Sequence, residues 1–335
     1  TVWDESKELN SKDIFDQLKN NPRQSLPVVK GVAKESLVQP FRLPENSSKT
    51  ISASYQRPYH MHGSIGPSAA IALYDAQVLK VWTHSQGVFP LRLALADVLA
   101  LAEDKIHVVH VPGAGCYGHN GADDVALDAA LTARAVPGRP IMLKWERADE
   151  HAWEPFGSAM QIELKASLDD KGHVIFWNHE TYSDTHMSRP SVHRENSRLL
   201  AAWHLQTPRP APPVKPSLGY HTGIHRNADP IYDFSDRRVV KHLVQDLPLR
   251  VSALRSLGAY ANVFAIESFM DELAHAIGTD PLEFRLAHLS DKRARAVLEA
   301  ATTKANMGFI SNDDRQGRGF AVSRYKNLKC YAAVV

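Results

Sequence analysis

The alternation of apolar and polar positions divides the chain into two strand-turn-helix units separated by a proline-rich stretch. In the first unit, Ile106, Val108, Val109 and Val111 read as a short buried strand. Val125, Leu127, Ala129, Ala130, Leu131 and Ala133 recur at helical spacing and stop at Pro137-Gly138. Ahead of them the pattern predicts a strand over residues 78–83 and a helix over 90–102, and after them a strand over 141–145. A hairpin follows: Met160, Ile162, Leu164 and Ala166 alternate up to Asp169-Asp-Lys-Gly172, and the chain returns through Val174 and Phe176. The second unit begins with a short strand over 249–254 and a turn at Arg255. Its helix carries Val263, Phe264, Ile266, Phe269, Met270, Leu273 and Ile277 as a core stripe and ends at Gly278. On that helix Glu267 and Glu272 read as surface carboxylates. Asp280-Pro281-Leu-Glu283 starts another helix with an N-cap and a proline at its first position.

Outside these units the pattern weakens. One helix is predicted over residues 11–19 with Ser11 as N-cap, and a linker follows through Pro40 and Pro44. Prolines 190, 208, 210, 212, 213, 216 and 230 make residues 189–230 largely irregular. The expected organisation is therefore a lead-in over 1–50 from an upstream domain and a first unit over 51–188. An irregular connection over 189–245 and a second unit over 246–335, incomplete at its C-terminus, complete it. The fold class is α+β, built of two α/β units with mixed sheets. Thr1 is not an initiator methionine and the last residues stop inside an apolar run, so a piece of a longer polypeptide is expected.

Composition narrows the function classes. A formal net charge of +2 argues against nucleic acid as main partner, and no apolar run approaches the length of a membrane span. Two cysteines, Cys116 and Cys330, cannot supply an iron–sulfur cluster on their own. The 17 histidines are scattered, and His60 and His62 are followed by no further ligand at a metal-binding spacing.

The segment richest in chemistry is Val111-Pro-Gly-Ala-Gly-Cys-Tyr-Gly-His-Asn-Gly121, where glycines at 113, 115, 118 and 121 sit between strand and helix. Such a loop lets main-chain N–H groups converge on a ligand, and it also serves as a plain tight turn. It is neither a dinucleotide fingerprint nor a phosphate loop, because His119 and Asn120 stand where a lysine or a Ser/Thr cation ligand would be needed. A phosphate- or nucleotide-binding enzyme and a folded segment without cofactor remain the alternative readings.

Four segments together resemble the molybdopterin-binding large subunits of the xanthine dehydrogenase and aldehyde oxidase family, in particular its bacterial nicotinate dehydrogenase and isoquinoline 1-oxidoreductase branch. His62-Gly-Ser-Ile-Gly-Pro67 is similar to the family's His-x-x-Met-Glu-Pro, and Thr83-His-Ser-Gln86 to its Ser-x-Gln. Gly113-Ala-Gly-Cys-Tyr-Gly118 is similar to its Gly-Gly-Gly-Phe-Gly, and Ala253-Leu-Arg255-Ser-Leu-Gly258 to its Ala-Phe-Arg-Gly-Phe-Gly. The separation of Gln86 from Tyr117 also matches.

The resemblance implies roles for these residues. Gln86 would hydrogen-bond an oxygen on molybdenum, and Gly113, Gly115, Cys116, Tyr117 and Gly118 would lie beside the metal and the pterin. Arg255 and Gly258 would contact the cofactor from the second unit, and Leu257 would stand where an aromatic residue often faces the substrate. The chain itself would supply no metal ligand. The implied reaction is hydroxylation of an electron-poor heteroaromatic or aldehyde carbon with water as oxygen source. Electrons would leave through molybdopterin, in its cytosine dinucleotide form, to a [2Fe–2S] partner subunit and a cytochrome c. The compartment, cytoplasm or periplasm of a bacterium, stays open. Gly66 and Gly121 replace acidic residues of the family pattern, and the family's catalytic glutamate has no counterpart after Arg318, so it is expected beyond Val335.

Overall fold

The computed structural model describes residues 13–234, 236–306, 317 and 319–334. Ser11, the expected N-cap of the first helix, lies outside the described residues. In chain order the elements are α1 (Asp13–Asn20), β1 (Arg23–Val29), β2 (Val32–Ala33), β3 (Lys49–Arg57), β4 (Ala69–Asp75), β5 (Val78–Thr83), α2 (Val88–Leu99), β6 (Ile106–His110), α3 (Ala122–Ala135) and β7 (Ile141–Lys144). They continue as α4 (Arg147–Trp153), β8 (Met160–Leu168), β9 (Val174–Ser183), β10 (Arg237–Val244), α5 (Ala259–Ala276), α6 (Pro281–Ala287), α7 (Lys292–Lys304), β11 (Ala321–Tyr325) and β12 (Lys329–Val334).

A four-stranded sheet runs in the order β6-β5-β4-β7, with β5 and β6 parallel and the other pairs antiparallel. Its core is aliphatic: Leu79 and Val81 from the sheet meet Leu91 and Leu95 of α2 and Val125 and Leu127 of α3. α2 stops at Leu99 because Ala100 turns left-handed at φ 51. β4 is a strand the sequence pattern does not predict. Its hairpin with β5 turns through Ala76 and Gln77 at φ 44 and 64, left-handed positions filled without the Asn-Gly or Asp-Gly signature.

A six-stranded sheet runs β2-β1-β10-β9-β8-β3, with β9 and β10 parallel and the rest antiparallel. Both sheets are thus mixed, as the α+β expectation requires. The six-stranded sheet draws β1 from the segment read as a lead-in and β10 from the segment read as an irregular connection. α5 covers one face, bringing Phe269, Met270 and Leu273 against Trp177 of β9. Phe264 of the predicted core stripe is instead 55% exposed and meets Tyr55 edge-on. Glu267 corrects the sequence reading in the opposite sense. It is buried and accepts hydrogen bonds from Tyr232 Oη at 2.8 Å, Arg285 Nε at 3.2 Å and the Val322 amide at 3.0 Å. Glu272 is exposed and accepts from Tyr55 Oη at 2.6 Å.

Residues 249–254, expected as a strand, form only isolated bridges, Val251 to Phe156 and Leu254 to Gly118. Their backbone is shared between two loops rather than committed to a sheet. Asp280 caps α6 as expected, accepting from the Leu282 and Glu283 amides. Among the described residues no helix is long and apolar enough to cross a membrane.

Candidate functional site

β5 and β6 are parallel, so their carboxyl ends open at the same edge of the small sheet, where open α/β sheets bind ligands. The loops leaving them run side by side, joined by the Val111 amide donating to the Thr83 carbonyl at 2.9 Å. Onto this edge comes the loop before α5. Gly118 and Leu254 form a bridge, the His119 amide donates to the Ala253 carbonyl at 2.9 Å, and the Arg255 amide donates to the Tyr117 carbonyl at 2.7 Å. The 62–68 segment closes a third side: the Ile65 amide donates to the Ala114 carbonyl at 3.2 Å, and His62 Nε2 lies 3.3 Å from the Ala253 carbonyl. The four segments singled out from sequence therefore meet at one junction.

Glycine is required where they touch. A Cβ on Gly118, which sits at φ 131, would lie 1.9 Å from the Ala253 carbonyl oxygen, and one on Gly66 would lie 2.7 Å from Ala114 Cβ. Gly66 thus keeps contact with the glycine loop where a glutamate would push the two segments apart. Gly113 abuts His84, and Gly115 lies against the Tyr117 ring. Gly258 packs on the Gly223 and Ile224 carbonyls, so its missing side chain serves a contact within the protein.

The polar side chains at the junction divide into free and spent groups. Gln86 and Arg255 are exposed and their side chains have no partner among the described residues, and Tyr117 is 41% exposed. The Cys116 thiol donates to the Gly118 carbonyl at 2.7 Å and also meets the Gln86 backbone, while burial pushes its pKa up. Gln86 and Arg255 therefore reach the glycine loop at consecutive residues, Cys116 and Tyr117. Leu257 is buried, at φ 53, and its carbonyl accepts from Arg57 Nη1 at 3.0 Å.

Beneath the loops lies a buried polar layer that the sequence reading did not single out. Asp123 of α3 accepts from Ser85 Oγ at 2.5 Å, and its second oxygen lies 2.8 Å from His119 Nδ1. Asn120 Nδ2 donates to Ser64 Oγ at 3.1 Å. α4 adds Glu150, which accepts from the Ser68 amide at 2.5 Å, and Glu154, which accepts from the His62 amide at 2.8 Å. Burial, and then the neighbouring Glu150 carboxyl, push Glu154 up to about 8, and burial pulls His62 down to about 4. The available sequence signal was the glutamate pair one turn apart on a short helix. Like charges at that spacing repel unless they are doing something else.

A cavity of about 560 Å³ adjoins the junction and is lined by His119, Asn120, Asp123, Arg198, Trp203 and Ser252, among others. Gln86, Tyr117, Arg255 and Leu257 are not part of its wall. The free polar groups thus stand outside this cavity. The converging loops, rather than the cavity, carry the residues singled out from the sequence.

A glycine-lined junction at the carboxyl ends of parallel strands is where open α/β sheets commonly bind ligands. A family model described as molybdopterin cofactor-binding domain matches residues 41–204 and 213–289, and the chain belongs to that family. It is 36% identical over 325 residues to a nicotinate dehydrogenase subunit of Pseudomonas putida, covering 95% of this chain and 25% of that protein. It is 26% identical to the beta subunit of isoquinoline 1-oxidoreductase of Brevundimonas diminuta, over 82% of this chain and 32% of that one. The fold is similar to the aldehyde oxidoreductase of Desulfovibrio gigas, with a TM-score of 0.61 at 19% identity over 89% of this chain and 32% of the other. The chain spans about a quarter to a third of the length of these relatives.

Proposed function

We propose that this chain forms part of the molybdenum-binding subunit of an oxidoreductase, holding molybdopterin between Gln86, the 113–118 loop and Arg255. The reading is supported by the glycine loop pairing with residues 253–255 while its Cys116 thiol meets the Gln86 backbone, so that two exposed polar side chains, without partners among the described residues, stand beside one loop. These residues suit the group. The Gln86 amide donates without adding charge, and the Arg255 guanidinium offers a permanent two-pronged donor to oxygens. Gly118 brings the loop against its neighbour, and Tyr117 presents a partly exposed ring.

When bound, the cofactor supplies the two-electron chemistry that hydroxylates an electron-poor heteroaromatic or aldehyde carbon with water. The chain's own residues orient it and cover one side of it. Two cysteines are too few for an iron–sulfur cluster, so the electrons would pass to a [2Fe–2S] subunit and from there to a cytochrome c. The cytosine dinucleotide form of the pterin and the nicotinate- or isoquinoline-like substrate belong to the same proposal. The phosphate-binding alternative meets an obstacle in α3, whose first turn carries the buried carboxyls Asp123 and Asp124 where an anion would approach.

The test is Gln86→Ala and Arg255→Ala in the intact protein, with molybdenum content and turnover measured together. Each substitution is expected to lower turnover or metal occupancy by about 10–100-fold while the fold is retained. Full occupancy with unchanged turnover in both variants would remove Gln86 and Arg255 from the site.

A further inference from the structure

Glu150 of α4 and Glu154, the residue that caps its C-terminus, both hold the underside of the 62–68 segment. Glu150 is 0% and Glu154 2% exposed, and each uses its Oε1 to accept a backbone amide, from Ser68 and His62 respectively. The two Oε2 atoms are buried without a hydrogen-bond partner, and the two carboxyls are near enough that Glu150 raises the pKa of Glu154. Two ionised carboxylates only accept and cannot satisfy each other, so two buried, orphaned Oε2 atoms on neighbouring carboxyls call for a proton on one of them. Neither carboxyl has a lysine or arginine partner among the described residues. Arg147, on the same helix, donates instead to the Ser64 and Ile65 carbonyls at 2.7 Å each. His62 Nδ1 stands 4.0 Å from Glu154 Oε2, itself buried and without a hydrogen bond.

We propose that Glu150 and Glu154 share a single proton and act as a positioning pair, fixing the 62–68 segment and, through Ile65 and Gly66, the glycine loop. The chain of contacts is continuous. The carboxyls hold the His62 and Ser68 amides, the Ile65 amide holds the Ala114 carbonyl, and Gly66 abuts Ala114. Loss of the shared proton leaves two buried negative charges facing each other, which drives them apart and frees the segment they clamp. The other ionisable groups around the pair are His62 and Arg147 on the clamped side, His84 after β5, and His119 and Asp123 at the start of α3. Among these His62 is the competing proton holder. The inference rests on contacts within the protein and stands whether or not the cofactor reading holds.

Infrared spectroscopy of the intact protein at neutral pH tests it. The carbonyl stretch of a buried, protonated carboxylic acid is expected in the wild type and is lost in Glu150→Gln and in Glu154→Gln, because an amide then donates to the remaining carboxylate. Hydrogen exchange supplies the second readout. Protection of residues 62–68 and 113–118 is expected to fall about tenfold as the wild type passes pH 8, beyond the intrinsic acceleration. Glu154→Gln retains that protection on both sides of pH 8, and Glu154→Ala loses it throughout. A band that is absent from the wild type, or that survives both glutamine substitutions, places the proton elsewhere, His62 first, and overturns the proposal. So does a Glu154→Gln protein as loose as the wild type above pH 8, a result that can be read even if Glu154→Ala does not fold.

Discussion

The two sheets solve the burial problem in different ways. The four-stranded sheet and its helices come from one continuous stretch, residues 69–144, and their core is mainly alanine, leucine, valine and isoleucine, with Trp145 buried among them. The six-stranded sheet pairs β1 with β10 across most of the chain, and charged and polar side chains sit in its surroundings: the buried Arg285–Glu267 pair, buried His179 with Asn262, and half-buried Glu180 with Arg238 and His242. An aliphatic core built locally needs only pattern and volume, whereas a core closed by distant segments also relies on directional bonds that specify which segments meet.

Acid exposes this difference most strongly. His179, His186, His221 and His225, all on the six-stranded side, are at most 1% exposed, and burial lowers them to about 4, 3, 4 and 3. A depressed histidine pKa contributes stability that is present above the unfolded value near 6.5 and lost as pH falls toward the folded value. All four act in the same direction, so their combined contribution falls steadily as pH drops below about 6.5. Around the small sheet fewer histidines are involved: burial lowers His84 after β5, while it raises Asp124, and raises Asp128 to about 6. Hydrogen exchange between pH 7 and 4 should therefore show the six-stranded region opening first. Loss of protection in α2 and α3 ahead of β9 and β10 would contradict the comparison.

The second effect in size is Arg285→Ala. Arg285 is fully buried and binds the Glu267 carboxylate, the Glu267 carbonyl and Asp271, so its removal strands a buried carboxylate. Breaking such a pair from one side costs about 3–5 kcal/mol. Denaturant titration measures it, and a loss under about 1 kcal/mol would mean that Glu267 finds water or a proton at little expense.

The same contrast explains what could be read from the residues. β5, β6, α3 and the β8–β9 hairpin were legible because their signals are local: period, stop residues and turn chemistry within a few positions. β1 and β10 were not, because Leu26 pairs with Lys241 and no local pattern names a partner that distant. Glu267 looked like helix surface because Tyr232, Arg285 and Val322, which bury it, arrive from other segments. The meeting of the glycine loop with residues 253–255 was legible through its motifs. The Glu150–Glu154 pair beneath it was not, since charged residues on a short helix ordinarily mean a solvated face.

The smallest expected effect lies in the small sheet's core. Leu127 of α3 is 0% exposed and packed among aliphatic neighbours from the sheet and α2. Leu127→Met keeps the volume and introduces no hydrogen-bonding demand, and the flexible thioether can follow the existing cavity. Such swaps usually cost less than about 1.5 kcal/mol. The cost should also be the same at pH 7 and pH 5, because the members of the core cluster around Leu127 carry no group that titrates between them. Denaturant midpoints at the two pH values check both statements. A penalty near that of Arg285→Ala would mean that α3 is positioned as strictly as the charged core of the large sheet, and the distinction between a core held by volume and a core held by directional bonds would then fail where it should be clearest.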